Sequence, residues 1–161
     1  LDPLPPETMA FLLNDRRVIM AGFQADVRPW VMASDVFVFP SYREGFPNVV
    51  MQASLLKVPC IVSDINGCNE IIHDGVTGIL VPPKQPELLH AAMHKLAGDP
   101  TLRRTFSENA RDFVVKKFDR KFVWEEMLKE YTMLLEKCFG RRVLPPPPSH
   151  IQPHPPPAGN N

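Results

Sequence analysis

The hydrophobic positions of this chain form four short apolar runs, separated by longer stretches of mixed polarity. Gly, Pro or Asp residues bound each run, and short continuous apolar runs of this kind are typical of strands that are buried on both faces. We therefore predict strands over residues 17–20, 35–39, 59–63 and 78–81.

The stretches between these runs carry signals for helix starts and stops. Asp26 and Asp119 suit N-caps, prolines stand where first turns tolerate them, and Gly98 suits a left-handed stop. The predicted helices cover residues 6–14, 27–34, 48–57, 69–73, 86–98, 100–118 and 120–139. Strands that alternate with helices indicate an α/β fold, in which helices cover both faces of a parallel sheet.

The segment Ser41–Gln52, with the sequence SYREGFPNVVMQ, links the second predicted strand to a predicted helix. A helix N-terminus attracts anions, because its first amides have no partner within the helix and the helix dipole is positive there. Gly45 allows a ligand to approach the backbone closely, and Pro47 suits the first helical turn because its missing N–H is not needed there.

Glu44 lies immediately before this predicted anion site, where a carboxylate would be out of place if the ligand were only a phosphate. A ligand with phosphates at one end and hydroxyls at the other explains both features. We therefore predict a nucleoside-diphosphate sugar, with the amides near Phe46, Pro47 and Asn48 at its phosphates and Glu44 at its sugar. Taken by itself, the motif also fits an ordinary loop with a surface carboxylate.

Several separate motifs occur together, in the order FVFPSYREGFPNVVMQA, PCIVSDINGCNEII and TGILVPP. With them, the chain from about residue 18 to about residue 135 resembles the C-terminal, donor-binding domain of retaining glycosyltransferases of family four. The resemblance implies a Rossmann-like parallel sheet with helices on both faces, which is the C-terminal half of a GT-B fold, followed by C-terminal helices. It also implies transfer of a sugar, with retention, from a nucleoside-diphosphate sugar to a glycan or lipid-linked acceptor in polysaccharide or capsule biosynthesis.

The resemblance assigns roles to individual residues. Family members usually carry two glutamates separated by seven other residues, of which the first contacts the donor sugar and the second the ribose. Glu44 matches the first position, whereas Gln52 occupies the second and supplies hydrogen bonds but no charge. The backbone at Gly22 and Phe23 would meet the nucleotide base, although the same residues also suit a plain strand-to-helix turn.

The diphosphate needs positive charge. In the family a basic pair supplies it from an earlier part of the domain, and no Arg or Lys of this chain matches that pair. Arg43 either replaces it in part or is an ordinary solvated arginine. We therefore expect this chain alone to be inactive and to need an acceptor domain, which another chain could supply.

Composition limits the partners and the compartment. The chain has 18 basic and 18 acidic residues, so no nucleic-acid partner is indicated. Its apolar runs are shorter than the about 20 residues that span a bilayer. Three scattered cysteines without CxxC spacing suit a reducing compartment, and we expect a cytoplasmic protein, which the resemblance also allows to lie at the inner membrane face. His90 and His94 lack a third ligand in the sequence, so we expect no metal and no cofactor besides the donor.

The last part of the chain differs in composition from the rest. Of the 19 prolines, eight fall between Pro145 and Pro157, so residues 141–161 are predicted to be a disordered tail that follows a domain of residues 1–140. A second hypothesis follows from this tail. The chain would then be a non-catalytic scaffold that engages a partner through the tail or through an exposed sheet edge.

Overall fold

The computed structural model describes residues 4–139 of the chain. The predicted proline-rich tail, residues 141–161, lies outside the described residues. Two compact units divide between Phe118 and Asp119. The first unit holds the sheet and the helices around it, and the second holds one long helix.

The sheet has three parallel strands in the order β1, β2, β3, where β1 is Phe37–Phe39, β2 is Cys60–Ser63 and β3 is Gly78–Val81. Ile61 in the central strand pairs with Val38 on one side and with Ile79 on the other. All four residues of β2 are buried, as a strand covered on both faces requires. Three of the four predicted strands, and the parallel sheet, are thus confirmed.

The prediction of a strand over residues 17–20 is wrong. Val18 donates its amide to the carbonyl of Asp15 in a turn, and the side chain of Ile19 is 76% exposed. A strand forms only where a neighbouring strand satisfies its amides and carbonyls, and within the described residues no strand pairs with this segment.

All seven predicted helices are present, some with shorter bounds. Asp99 caps one of them by accepting the amide of Leu102 at 2.8 Å, and Asp119 accepts the amides of Lys121 and Phe122 at the start of the next. The helices are α1 (Pro6–Asn14), α2 (Arg28–Met32), α3 (Asn48–Leu55), α4 (Cys68–Ile71), α5 (Pro86–Gly98), α6 (Pro100–Lys117) and α7 (Arg120–Phe139).

Two details of the predicted helix ends are corrected. Gly98 ends α5 without the left-handed backbone expected of it, and Asp99, which follows, is the N-cap of α6. Pro47 is the N-cap of α3 rather than part of its first turn, and its carbonyl accepts the amide of Val50. A left-handed residue does follow α3, and it is Lys57, with φ 62°.

The core consists of two apolar clusters, one on each face of the sheet. Because side chains alternate along a strand, Cys60 and Val62 enter one cluster and Ile61 enters the other. Helices α3, α4 and α6 contribute to the first cluster, and α5 with the start of α6 contributes to the second. Helices therefore cover both faces, as a Rossmann-like α/β fold requires.

Phe106 is the largest side chain of the second cluster and is 2% exposed. We expect Phe106→Ala to lower the free energy of unfolding by about 3–5 kcal/mol, because it removes buried surface and leaves a cavity. The matched control is Phe23→Ala, since Phe23 is 95% exposed, and it should change stability by less than about 0.5 kcal/mol. Urea unfolding measures both, and equal effects would contradict the second cluster.

Candidate functional site

Three loops meet at one edge of the sheet, because parallel strands end on the same side. Pro40 follows β1, Asp64 follows β2 and Pro82 follows β3. Ligands of open α/β sheets bind at this edge. The predicted site therefore lies in the first of these loops, residues 40–47, and at the start of α3.

The carboxylate of Glu44 is held by its own loop. The hydroxyl of Ser41 donates to Oε1 of Glu44 at 2.7 Å, and the glutamate is half-buried. Ser41 had no predicted role, although a serine three residues before the glutamate is a local signal for such a bond. Ser41 leaves the other carboxylate oxygen available to a ligand.

The loop after β2 packs directly on the loop that carries Glu44. Gly67 has φ 83°, and a Cβ at this position would overlap the carbonyl oxygen of Gly45 and lie 3.1 Å from Cδ of Pro47. The approach is therefore open only to glycine. Gly67 therefore supports the Glu44 loop by close backbone packing.

The residue after Gly67 brings a thiol near Glu44. Burial, reinforced by the negative charge of Glu44, raises the pKa of Cys68 to about 11. Cys68 is thus protonated at neutral pH. Glu44 has a neutral thiol as its neighbour on this side.

The start of α3 offers backbone donors beside Glu44. The first hydrogen bond of the helix runs from the amide of Val50 to the carbonyl of Pro47. The amides of Asn48 and Val49 come before it and therefore have no acceptor within the helix. Gly45 and Asn48 are exposed, which leaves room for a ligand. The ring of Phe46 packs edge-on against Phe118 at 5.2 Å, so the backbone is the polar part of Phe46 that a ligand can use.

Gln52 lines a cavity of about 430 Å³ together with residues 25–28. The structure therefore places Gln52 beside the segment that follows the predicted base-binding turn. In that turn Gly22 has a left-handed backbone with φ 62°, and the side chain of Phe23 points into solvent. Neither lines the cavity.

The same cavity is lined by an ion pair whose place in the site was not predicted. Arg28 binds Asp26 through two side-chain bonds of 2.8 Å, and Asp26 also accepts the backbone amide of Arg28. These bonds hold the pKa of Asp26 at about 2, so the pair is charged at neutral pH. An Asp two residues before an Arg at a helix start was its signal in the sequence.

Arg43 is exposed and forms no ion pair within residues 4–139. The rings of His90 and His94 lie 4.5 Å apart, away from the Glu44 loop on α5. Among the described residues, no group of three or more His, Cys, Asp or Glu side chains could hold a metal ion. None of the helices described here has the length and hydropathy of a membrane span.

The chain matches the family model described as Glycosyl transferases group 1 over residues 3–99. The capsular polysaccharide biosynthesis glycosyltransferase CapM of Staphylococcus aureus is 32% identical over 131 residues, which cover 81% of this chain and 34% of CapM. The N,N'-diacetylbacillosaminyl-diphospho-undecaprenol alpha-1,3-N-acetylgalactosaminyltransferase of Campylobacter jejuni is 30% identical, over 77% of this chain and 33% of that enzyme.

Solved structures give the fold. HepE of Anabaena in complex with UDP matches with a TM-score of 0.73 at 23% identity, over 79% of this chain and 35% of HepE. The solved structures that resemble this chain are GT-B glycosyltransferases. The chain spans about a third of the length of each of these relatives.

We expect Gly67→Ala to displace the Glu44 loop. The new methyl group would overlap the carbonyl of Gly45, so the free energy of unfolding should fall by about 2–4 kcal/mol and the amide signals of Gly45 and Phe46 should shift. The matched control is Gly75→Ala, because Gly75 has φ 68° but no atom within 4 Å of a Cβ. It should cost only about 1 kcal/mol.

Thermal unfolding and ¹⁵N-correlated NMR spectra distinguish the two variants. If both had the same effect on stability and left the Gly45 signal in place, Gly67 would serve only its own turn.

Proposed function

The chain belongs to the glycosyl transferases of group 1, and we propose that it is the donor-binding part of a hexosyltransferase that acts with retention of configuration. The observation that carries the proposal is the arrangement around Glu44. One loop presents a tethered carboxylate next to the free amides of a helix start, at the edge of the sheet where ligands bind. A nucleoside-diphosphate sugar has groups that match both.

The proposed donor lies along α3. Glu44 accepts hydrogen bonds from hydroxyls of the sugar. The amides of Asn48 and Val49 face the diphosphate, where exposed Gly45 allows close approach. Gln52 lies within about one helical turn of these amides and reaches the ribose, so that the phosphates lie between Glu44 and Gln52.

Several further contacts belong to the same proposal. The backbone at Gly22 and Phe23 meets the base, next to the cavity that Gln52 lines. Arg43 is exposed and free of ion pairs among the described residues, so its guanidinium can turn to the phosphates. Phe46 and Pro47 shape the loop, Phe46 through its packing on Phe118 and Pro47 as the N-cap of α3.

In the proposed reaction, negative charge develops on the leaving diphosphate as the bond to the sugar breaks. The positive end of α3 and its free amides stabilise that charge, and they are already oriented before the reaction begins. Glu44 fixes the sugar so that one face of its anomeric carbon stays open to the acceptor hydroxyl. Transfer needs an acceptor-binding domain, and we propose that this chain works with one.

The acceptor is proposed to be a glycan or a lipid-linked sugar in polysaccharide or capsule assembly, as the names of CapM and of the undecaprenol-dependent relative suggest. We also propose a cytoplasmic reaction, at the inner membrane face where the acceptor is lipid-linked. The buried free thiols of Cys60 and Cys68 suit that reducing compartment.

Glu44→Gln tests the sugar contact. Gln keeps an oxygen for Ser41 but loses the charge, so we expect the extra affinity that a sugar gives over the bare diphosphate to fall about tenfold or more. Affinity for the nucleoside diphosphate alone should not change. Calorimetric titration with uridine, guanosine and adenosine diphosphates and their sugars measures both. The control is Glu108→Gln, on the exposed face of α6. If the extra affinity that the sugar gives survived Glu44→Gln, Glu44 would not belong to the donor site.

Gln52→Glu tests the ribose contact. A carboxylate forms stronger bonds to hydroxyls than an amide does, by about 1 kcal/mol, so we expect about fivefold tighter binding of the nucleoside diphosphate. Gln52→Ala should weaken it. The same titrations with the 2′,3′-dideoxy diphosphate are the control, because the difference between Glu and Gln should vanish without ribose hydroxyls. A difference that persists with this control would place Gln52 at another part of the ligand.

A further inference from the structure

The end of helix α6 packs against the loop that carries Glu44. Phe118 closes α6, and its amide donates to the carbonyl of Val114, so the helix fixes its backbone. The half-buried ring of Phe118 meets the ring of Phe46 edge-on, with the ring centres 5.2 Å apart. A helix that is distant in the chain therefore touches the loop next to the proposed sugar contact.

Phe46 is the side chain that connects the outer part of this loop to the core. Tyr42, Arg43 and Gly45 are exposed, whereas the ring of Phe46 is only 38% exposed. Gly45 has no side chain to pack, so Phe46 is the first residue after Glu44 whose side chain holds the loop in place. A ring that is anchored two residues from the carboxylate restricts the backbone between them.

The ring of Phe118 is itself held from its other side. Phe113, earlier in α6, packs edge-on against it with the ring centres 6.2 Å apart, and both rings pack against the first apolar cluster. The ammonium of Lys117 lies 5.1 Å from the centre of the Phe113 ring and 5.4 Å from that of Phe118, a favourable arrangement of a cation over aromatic rings. Phe118 thus presents a fixed surface to Phe46.

The same part of α6 also holds the neighbouring loop. Lys117 donates to the carbonyl of Glu70 in α4 at 3.2 Å, and the ring of Phe113 lies 4.4 Å from the ring of His73, just after α4. Helix α4 begins directly after Gly67, the glycine that packs against the first loop. The two loops that meet at Gly67 therefore share one support, which is the end of α6.

Helix α3 depends less on this support than the loop before it does. Its N-cap, Pro47, is buried, and Val50 and Ala53 are fully buried in the first apolar cluster. The start of α3 is therefore anchored by its own residues. Loss of the contact between Phe46 and Phe118 should displace the residues before Pro47 more than the amides that follow it.

We infer that Phe118 is a positioning residue for the donor sugar, which acts through Phe46 and keeps Glu44 at the place where the sugar binds. This inference rests on the proposed function, because it requires that Glu44 contacts the sugar. Its consequence is specific. The part of the affinity that comes from the sugar depends on Phe118, whereas the part that comes from the diphosphate, bound at the start of α3, does not.

The test uses the full chain with Phe118→Leu, which keeps an apolar side chain but removes the aromatic edge. We expect the extra affinity that a sugar gives over the bare diphosphate to fall about fivefold, and the affinity for the diphosphate to stay within about twofold. Phe118→Tyr keeps the ring and should retain the sugar effect. Calorimetric titration measures both, with uridine, guanosine and adenosine diphosphates and their glucose, galactose and N-acetylglucosamine conjugates as probes.

Two further variants separate positioning from stability. Phe106→Leu removes a ring from the second apolar cluster, so it should lower stability and leave both affinities unchanged. In ¹⁵N-correlated NMR spectra without ligand, Phe118→Leu should shift the amide of Gly45, and Phe106→Leu should not. Phe46→Leu combined with Phe118→Leu should lose no more of the sugar effect than Phe46→Leu alone, because Phe118 acts through Phe46.

The inference is overturned if Phe118→Leu leaves the sugar effect intact, if it weakens the bare diphosphate equally, or if Phe106→Leu has the same effect on binding. It is also overturned if the effects of Phe46→Leu and Phe118→Leu add. Each of these results leaves the donor site standing, because the unaltered chain still binds its donor. If the unaltered chain bound none of the probes, or if a sugar added no affinity, the proposed function would fail, and the inference would fail with it.

Discussion

The central strand β2 is the element on which the rest of this fold depends. Its four residues are buried, and its side chains feed both apolar clusters, Cys60 and Val62 on one face and Ile61 on the other. It also pairs with both neighbouring strands, so it fixes where β1 and β3 end. Because the candidate site is built from the loops at those ends, the position of Glu44 depends on the packing of β2.

Backbone contact between two loops carries this order from the core to the site. Gly67 follows β2 and touches Gly45 so closely that no side chain fits between them. The loop of Glu44 is therefore supported from below by a neighbour that is itself anchored in the sheet, and Ser41 then sets the direction of the carboxylate. A site held by packing and by a hydrogen bond from a neighbouring side chain keeps its geometry before a ligand arrives.

Much of this arrangement could be predicted from sequence because its signals lie in residues that are close together in the chain. The strands at 35–39, 59–63 and 78–81 are apolar runs with clear ends, and the caps at Asp99 and Asp119 are signals within four residues. The failure at 17–20 has the opposite cause, since a strand needs a partner that its own residues do not specify. The contact of Gly67 with Gly45 joins two different loops, so no pattern within either loop predicts it.

The electrostatic setting of Glu44 favours a ligand with hydroxyls over a structural role for this carboxylate. A glutamate that stabilises a fold usually has a cation as its partner, yet Glu44 forms no ion pair within residues 4–139. Its neighbours are neutral: the hydroxyl of Ser41 donates to it, and the thiol of Cys68, whose pKa is raised to about 11 by burial and by the charge of Glu44, is protonated at neutral pH. A half-buried charge without a counter-ion is costly unless hydrogen bonds offset it. Sugar hydroxyls would supply those bonds, and they would do so without cancelling the charge, which a nearby lysine or arginine would have done.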